Sequence, residues 1–123
     1  MKITGFHVLI DSSNYDDNVK LFEDLGFERR HNPVTEVEVG EVNTCIMKDP
    51  NGFYVDIANT LTKEKDSVLI RMNVDDFDEA YNLLKEHGFK NTRGDGSVDT
   101  GSAKAATMVG PSGLIIALVK HIK

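Results

Sequence analysis

Residues 49–56 read Asp-Pro-Asn-Gly-Phe-Tyr-Val-Asp, a tight turn followed by side chains that alternate between apolar and polar. The proline presets φ for such a turn, and the glycine two residues later accepts a positive φ. A matching turn occurs at residues 110–116, Gly-Pro-Ser-Gly-Leu-Ile-Ile, so that Pro50 and Pro111 lie 61 residues apart (111 − 50). Each turn joins two apolar stretches and therefore predicts a hairpin.

A second pair of landmarks repeats at nearly the same interval. Apolar residues at helical spacing precede Gly26, and a similar set precedes Gly88, 62 residues later (88 − 26). Glycine after a helical pattern is typical of the left-handed residue that closes a helix. Ser13 and Asp76 each stand three residues before an acidic residue, which is the spacing of a helix N-cap.

The two sets of landmarks predict an α+β fold of two tandem βαβββ units, which form a curved mixed sheet with the helices on the outside. Repeat one spans about residues 1–61, repeat two about 66–123, and the polar stretch 62–66 links them. The length of 123 residues suits a single domain. We expect a small-molecule pocket in the cleft on the sheet face away from the helices.

Composition excludes several classes of function. The net charge is −6 and the basic residues are scattered, whereas a nucleic-acid partner requires a concentrated positive patch. No apolar run approaches the ~18 residues that cross a bilayer, and the N-terminus lacks a signal-peptide pattern, so we expect no membrane partner and a cytoplasmic location. The single cysteine, Cys45, lies in an apolar context that predicts a buried, unreactive thiol.

Alternation along the strands assigns side chains to the helices or to the cleft. In repeat one it turns His7, Tyr54 and Asp56 into the cleft. The sets expected to face the helices are Phe6, Val8 and Ile10; Phe53, Val55 and Ile57; Val68, Ile70, Met72 and Val74; and Leu114, Ile116 and Leu118.

Repeat two contributes a more apolar wall to the same cleft. Leu69, Arg71 and Asn73 of its first strand and Ala117 of its last strand face inward, which gives the wall one cation. An imidazole, a carboxylate, a phenol and a guanidinium among aliphatic groups suit a small, partly polar or anionic ligand. An alternative interpretation is that His7 and Asp56 satisfy one another as a polar pair, or that Arg71 pairs with Asp11 or Asp56.

The repeated units, the strand opening Gly-Phe-His-Val at residues 5–8 and the stretch 49–56 resemble the vicinal oxygen chelate superfamily over essentially the whole chain. That superfamily includes glyoxalase I, extradiol dioxygenases and bleomycin-resistance proteins. The resemblance implies four metal-ligand positions, which fall on His7, Asp56, Leu69 and Ala117. Leucine and alanine cannot bind a metal, and a catalytic ion needs about three protein ligands. We therefore expect no cofactor. The alternative is a divalent Zn, Ni, Mn or Fe ion bound by His7 and Asp56.

Two functions follow from the resemblance. One is a metal-free small-molecule-binding protein of the glyoxalase/bleomycin-resistance kind, in which His7, Tyr54, Asp56 and Arg71 orient the ligand. The other is a lyase or isomerase similar to glyoxalase I, with the imidazole or the carboxylate as general base. The resemblance also implies a homodimer, and it leaves open whether the repeats pair within one chain or between two. Residues 94–103 are expected to form a surface loop that could act as a lid.

Overall fold

A computed structural model of the chain describes residues 1–32, 34–37, 40–59, 65–92, 98–99 and 103–121. Within these ranges the elements are β1 Ile3–Ser12, α1 Tyr15–Asp24, β2 Glu28–His31, β3 Val34–Val37, β4 Gly40–Lys48, β5 Tyr54–Asn59, β6 Ser67–Val74, α2 Phe77–Glu86, β7 Lys90–Asn91, β8 Val98–Asp99, β9 Ala103–Val109 and β10 Ile115–His121. Apart from the short strands β3 and β8, the order β-α-β-β-β occurs twice. The predicted α+β class and its repeated unit are confirmed.

The chain divides into two compact units. The first unit is His7–Val68, and the second consists of Met1–Phe6 together with Leu69–Lys123. β1 therefore supplies its first residues to the second unit and its remainder to the first. The link proposed at residues 62–66 falls mostly outside the described residues, so the boundaries of the repeats stay a prediction.

The first unit has the strand order β2–β4–β5–β1. β1 runs parallel to β5, with Val8 opposite Val55 and Ile10 opposite Ile57, whereas β4 is antiparallel to both of its neighbours in this order. This mixture of parallel and antiparallel pairs agrees with the predicted mixed sheet. The buried core between this sheet and α1 consists of Val19, Cys45, Met47, Val55 and Ile57.

The second unit repeats the arrangement as β6–β10–β9–β7, with β6 parallel to β10 and β10 antiparallel to β9. The N-terminal residues join this unit, because the backbone N–H of Lys2 donates to the carboxylate of Asp75 at 2.6 Å. That hydrogen bond lowers the pKa of Asp75. The buried core of the second unit consists of Val74, Phe77, Ala80, Ala106, Met108 and Leu118.

The helices cover less of their sheet faces than alternation alone predicted. Phe6 and Val8 of β1 and Val68 of β6 are exposed, although they were expected to be covered by the helices. The reason is length: ten helical residues span about 15 Å, whereas the ten residues of β1 span about 33 Å. Phe53 and Leu114 are also exposed, because each precedes its strand and belongs to a turn. These five side chains were expected to meet the helices, and their exposure shows that the helices do not cover them.

The two helices begin differently. The carboxylate of Asp76 accepts a hydrogen bond from the N–H of Glu79 at 3.1 Å, which is the predicted N-cap. The N-cap of α1 is Asn14, whose side chain makes no capping hydrogen bond, so the predicted cap at Ser13 is wrong. The hydroxyl of buried Ser12 instead accepts the N–H of Asn14 at 2.9 Å.

The glycines that mark the repeats have the backbone conformation expected from the sequence. Gly26 and Gly88 follow the helices with φ of +106° and +88°, and Gly52 and Gly113 close the two turns with φ of +90° and +98°. No helix in the described part of the chain is long and apolar enough to span a membrane. Of the proposed lid at residues 94–103, only residues 98–99 and 103 are described, so the lid stays a prediction.

Replacing Asp76 by alanine is expected to lower the free energy of unfolding by about 1 kcal/mol, because the N–H of Glu79 loses its acceptor. Urea unfolding followed by circular dichroism measures the change. Asn14→Ala is the matched control, since Asn14 holds the same position in α1 without a capping bond. An equal loss in both variants would contradict the assigned cap.

Candidate functional site

His7 and Asp56 lie on the two parallel strands of the first unit, β1 and β5. Leu9 pairs with Asp56 in this register, and side chains two residues apart share a face, so His7 and Asp56 point to the side opposite the α1 core. Nδ1 of His7 lies 2.9 Å from Oδ1 of Asp56. The structure thus brings together the imidazole and the carboxylate that alternation assigned to one face.

The pair is withdrawn from solvent. The side chain of Asp56 is 0% exposed and that of His7 is 11% exposed. An ionised carboxylate can only accept hydrogen bonds, so beside an ionised Asp56 the Nδ1–H of His7 is the donor of this hydrogen bond. In that tautomer Nε2 holds a lone pair, and no residue in the described part of the chain donates a hydrogen bond to it. The arrangement orients His7 as a hydrogen-bond and proton acceptor.

Tyr54 stacks on the imidazole of His7. Their ring centroids are 4.3 Å apart and the ring planes differ by 7°. On β4, Lys48 pairs with Tyr54, and its ammonium nitrogen lies 5.4 Å from the centre of the phenol ring. Tyr54 was predicted from the sequence to contact a ligand, whereas Lys48 was not among the predicted site residues. The turn at residues 49–53 was the available signal, because residues that flank a hairpin turn pair across it.

The other predicted site residues belong to the second unit. Arg71 of β6 lies opposite Ala117 of β10, just as Leu9 lies opposite Asp56 in the first unit. Two residues before Arg71 comes Leu69, as His7 comes two residues before Leu9. In the second unit, Leu69 therefore occupies the position of the imidazole of His7, and Ala117 occupies the position of the carboxylate of Asp56.

Two further contacts of the second unit were not foreseen. Nη2 of Arg71 lies 3.4 Å from Nε2 of His121, at the end of β10. Asn73 lies against Gly5, where an added Cβ would come within 2.9 Å of the amide nitrogen of Asn73. A side chain at position 5 would therefore displace the amide group of Asn73.

The described residues do not fit a metal centre with three or more protein ligands. No group of three or more His, Cys, Asp or Glu side chains in the described part of the chain is placed to hold an ion. His7 and Asp56 provide two donors, fewer than the three that a catalytic ion requires. Cys45 adds no ligand, because it is buried in the core under α1, where burial raises the pKa of its thiol.

Removing one partner of the buried pair is expected to cost more than removing both. His7→Leu leaves the buried carboxylate of Asp56 without its imidazole partner, so the free energy of unfolding should fall by about 3 kcal/mol. The double variant His7→Leu/Asp56→Leu should recover most of that loss, since hydrocarbon side chains need no partner. Urea unfolding of the three proteins measures both values. If the double variant were less stable than His7→Leu, the pair would be a structural support.

The sequence matches no family model and no curated protein. Among solved structures, methylmalonyl-CoA epimerase from Mycobacterium tuberculosis is 17% identical with a TM-score of 0.73, over 98% of this chain and 90% of that one. Glyoxalase I from Zea mays is 15% identical with a TM-score of 0.70, over 97% of this chain and 43% of that one, so this chain spans less than half of it. A glyoxalase/bleomycin resistance protein/dioxygenase superfamily member from Vibrio splendidus 12B01 is 15% identical with a TM-score of 0.63, over 97% and 99%. The chain therefore has the fold of the vicinal oxygen chelate superfamily, as its sequence indicated.

Proposed function

We propose that the chain binds a small molecule on the face of the first unit that carries His7, Tyr54 and Asp56. The observation that carries this proposal is the fully buried carboxylate of Asp56, 2.9 Å from the imidazole of His7. Burying an ionised carboxylate costs several kcal/mol in desolvation, and hydrocarbon side chains of similar volume often stabilise a protein as well as a buried polar pair or better. A purely structural role therefore explains the pair poorly, whereas recognition of a polar group on a ligand explains it directly.

The three side chains on this face have different roles in binding. His7 accepts a hydrogen bond from the ligand at Nε2, and Asp56 holds the ring in the tautomer that makes this possible. Tyr54 covers one face of the imidazole and fixes its plane. The name of one structural neighbour, methylmalonyl-CoA epimerase, supports a small-molecule ligand and suggests a first compound to test. The homodimer and the cytoplasmic location stay predictions from the sequence.

Binding is tested by the melting temperature, because a ligand that binds only the folded state raises it. The screen uses coenzyme A, methylmalonyl-CoA and small dicarboxylic acids, followed by calorimetric titration of each compound that raises the melting temperature. His7→Gln is expected to weaken binding by about tenfold or more, the value of one buried hydrogen bond to the ligand. His87→Gln is the control, since His87 is exposed at the end of α2. Unchanged affinity in His7→Gln would contradict the proposal.

A second function, proton transfer on the bound molecule, is favoured by the tautomer of His7. A histidine whose Nδ1–H is held by a carboxylate presents Nε2 as a general base, and the carboxylate stabilises the imidazolium that forms. In this role Nε2 of His7 would take a proton from a carbon acid, while Oδ1 of Asp56 continues to accept the hydrogen bond from Nδ1–H. The chain would then be an isomerase or a lyase that works through its own side chains.

Proton transfer is measured as deuterium incorporation from D2O at the acidic carbon of a bound compound, followed by proton NMR. The wild-type chain is expected to exceed the buffer rate by about 100-fold or more, and His7→Gln should return the rate to that of buffer. Tyr54→Phe keeps the stacked ring and should retain the activity, whereas Tyr54→Leu should slow exchange because the imidazole plane is no longer fixed. Equal rates for the wild type and His7→Gln would leave binding alone as the function.

A further inference from the structure

We propose that Lys48 is a positioning residue for His7, because its ammonium holds the ring of Tyr54 on which the imidazole stacks. β5 lies between β4 and β1, so Lys48 and His7 approach Tyr54 from opposite neighbouring strands. The ammonium nitrogen lies 5.4 Å from the centre of the phenol ring, and the centre of the imidazole lies 4.3 Å from it. This inference rests on the proposed function, since the orientation of His7 matters only where Nε2 meets a ligand.

A single hydrogen bond does not fix the orientation of the imidazole of His7. The contact between Nδ1 and Oδ1 of Asp56 holds one corner of the ring, but the ring can still turn about that bond, because the χ2 torsion of histidine has a broad energy minimum. Such a turn would move Nε2 away from the ligand. Stacking on a second flat ring opposes the turn, since it would break the parallel contact. The plane of the imidazole therefore depends on where the ring of Tyr54 lies.

The ring of Tyr54 has little packing of its own to hold it. Tyr54 is the first residue of β5, directly after the turn, and it is 37% exposed. Exposed side chains exchange rapidly between rotamers. The face of an aromatic ring attracts a cation that lies within about 6 Å of its centre. The ammonium of Lys48 lies within that range, so it favours the rotamer of Tyr54 that stacks on His7.

The two carboxylates that adjoin Lys48 in sequence or in register have other partners. Asp49 accepts two backbone N–H groups of its own turn, at 3.1 and 2.8 Å. Glu28 lies opposite Lys48 on β2 and pairs with Arg30 at 3.6 Å. Across the described residues, Lys48 forms no ion pair, and its ammonium contacts the ring of Tyr54. No carboxylate therefore draws the ammonium away from the stack.

The second unit replaces the whole stack with aliphatic side chains. Val109 and Ile115 pair across the second turn as Lys48 and Tyr54 pair across the first. The position of the imidazole holds Leu69. A lysine that served only solubility would have no reason to accompany the imidazole. The cation and the phenol are present in the unit that has the imidazole and absent from the equivalent positions of the other, as a positioning role requires.

The test follows the ring protons of His7 by NMR in the full chain without a ligand, because the ring current of Tyr54 displaces the signals of a stacked imidazole. Lys48→Gln removes the charge and should reduce this displacement by about half, since a cation over an exposed ring changes rotamer populations a few-fold. Lys48→Arg should keep it, because a guanidinium also binds an aromatic face. Lys20→Gln, on the exposed side of α1, is the control and should change nothing. Unchanged signals in Lys48→Gln would overturn the inference.

Deuterium exchange into a bound compound separates positioning from direct contact with the ligand. Lys48→Gln should lower kcat about fivefold and leave KM unchanged, because a misplaced base affects the reaction rather than binding. A higher KM with unchanged kcat would mean that the ammonium contacts the ligand, and it would overturn the positioning role. The NMR signals need no ligand, so they decide this inference even if His7→Gln leaves binding unchanged and the proposed function fails.

Discussion

The parallel pairing of β1 with β5 decides which side chains of the first unit meet. Ile10 lies opposite Ile57 on the side covered by α1, and the positions between the apolar pairs point to the other side. A slip of one residue in this register would turn the imidazole of His7 toward the helix and leave Asp56 without its partner. The hydrophobic core under α1 therefore fixes the geometry of a polar pair that lies outside that core.

Asp56 illustrates how this constraint works at one residue. It stands between Val55 and Ile57, which are 3% and 0% exposed, so its backbone is anchored on both sides by buried hydrocarbon. The carboxylate points away from that core and is buried as completely, with the imidazole of His7 as its donor. A group held on a paired strand in this way is positioned more tightly than one on a loop, which is what acid–base chemistry or selective binding requires. Tyr54 lies two residues before Asp56 on β5, and its stacked ring restricts the orientation of the imidazole of His7.

The sequence predicts features that depend on a few neighbouring residues well. It predicts less well which side chains a helix covers and how strands far apart in the sequence pair. Glycine at position 88 and the cap at Asp76 follow from backbone preferences of a few residues, and both are present. Alternation predicts the face of Val8 but not its exposure, because exposure depends on where a short helix ends over a longer strand. The contact of Arg71 with His121 depends on the register of β6 against β10, which no short stretch of sequence specifies. The same holds for the roles of the site residues, which stay predictions.

The two repeats use equivalent positions in opposite ways. In the first unit, His7 and Asp56 are polar, and Leu9, which lies opposite Asp56, is apolar. In the second unit, the equivalent residues Leu69 and Ala117 are apolar, and Arg71 lies opposite Ala117. A buried carboxylate needs a donor of its own, so placing an acid–base pair in both units would impose the desolvation cost twice. An aliphatic pair at the second set of positions avoids that cost, and the register places Arg71 directly opposite Ala117 of that pair. Duplication of the fold thus supplies two equivalent frameworks, and the substitutions at three positions give each framework a different chemistry.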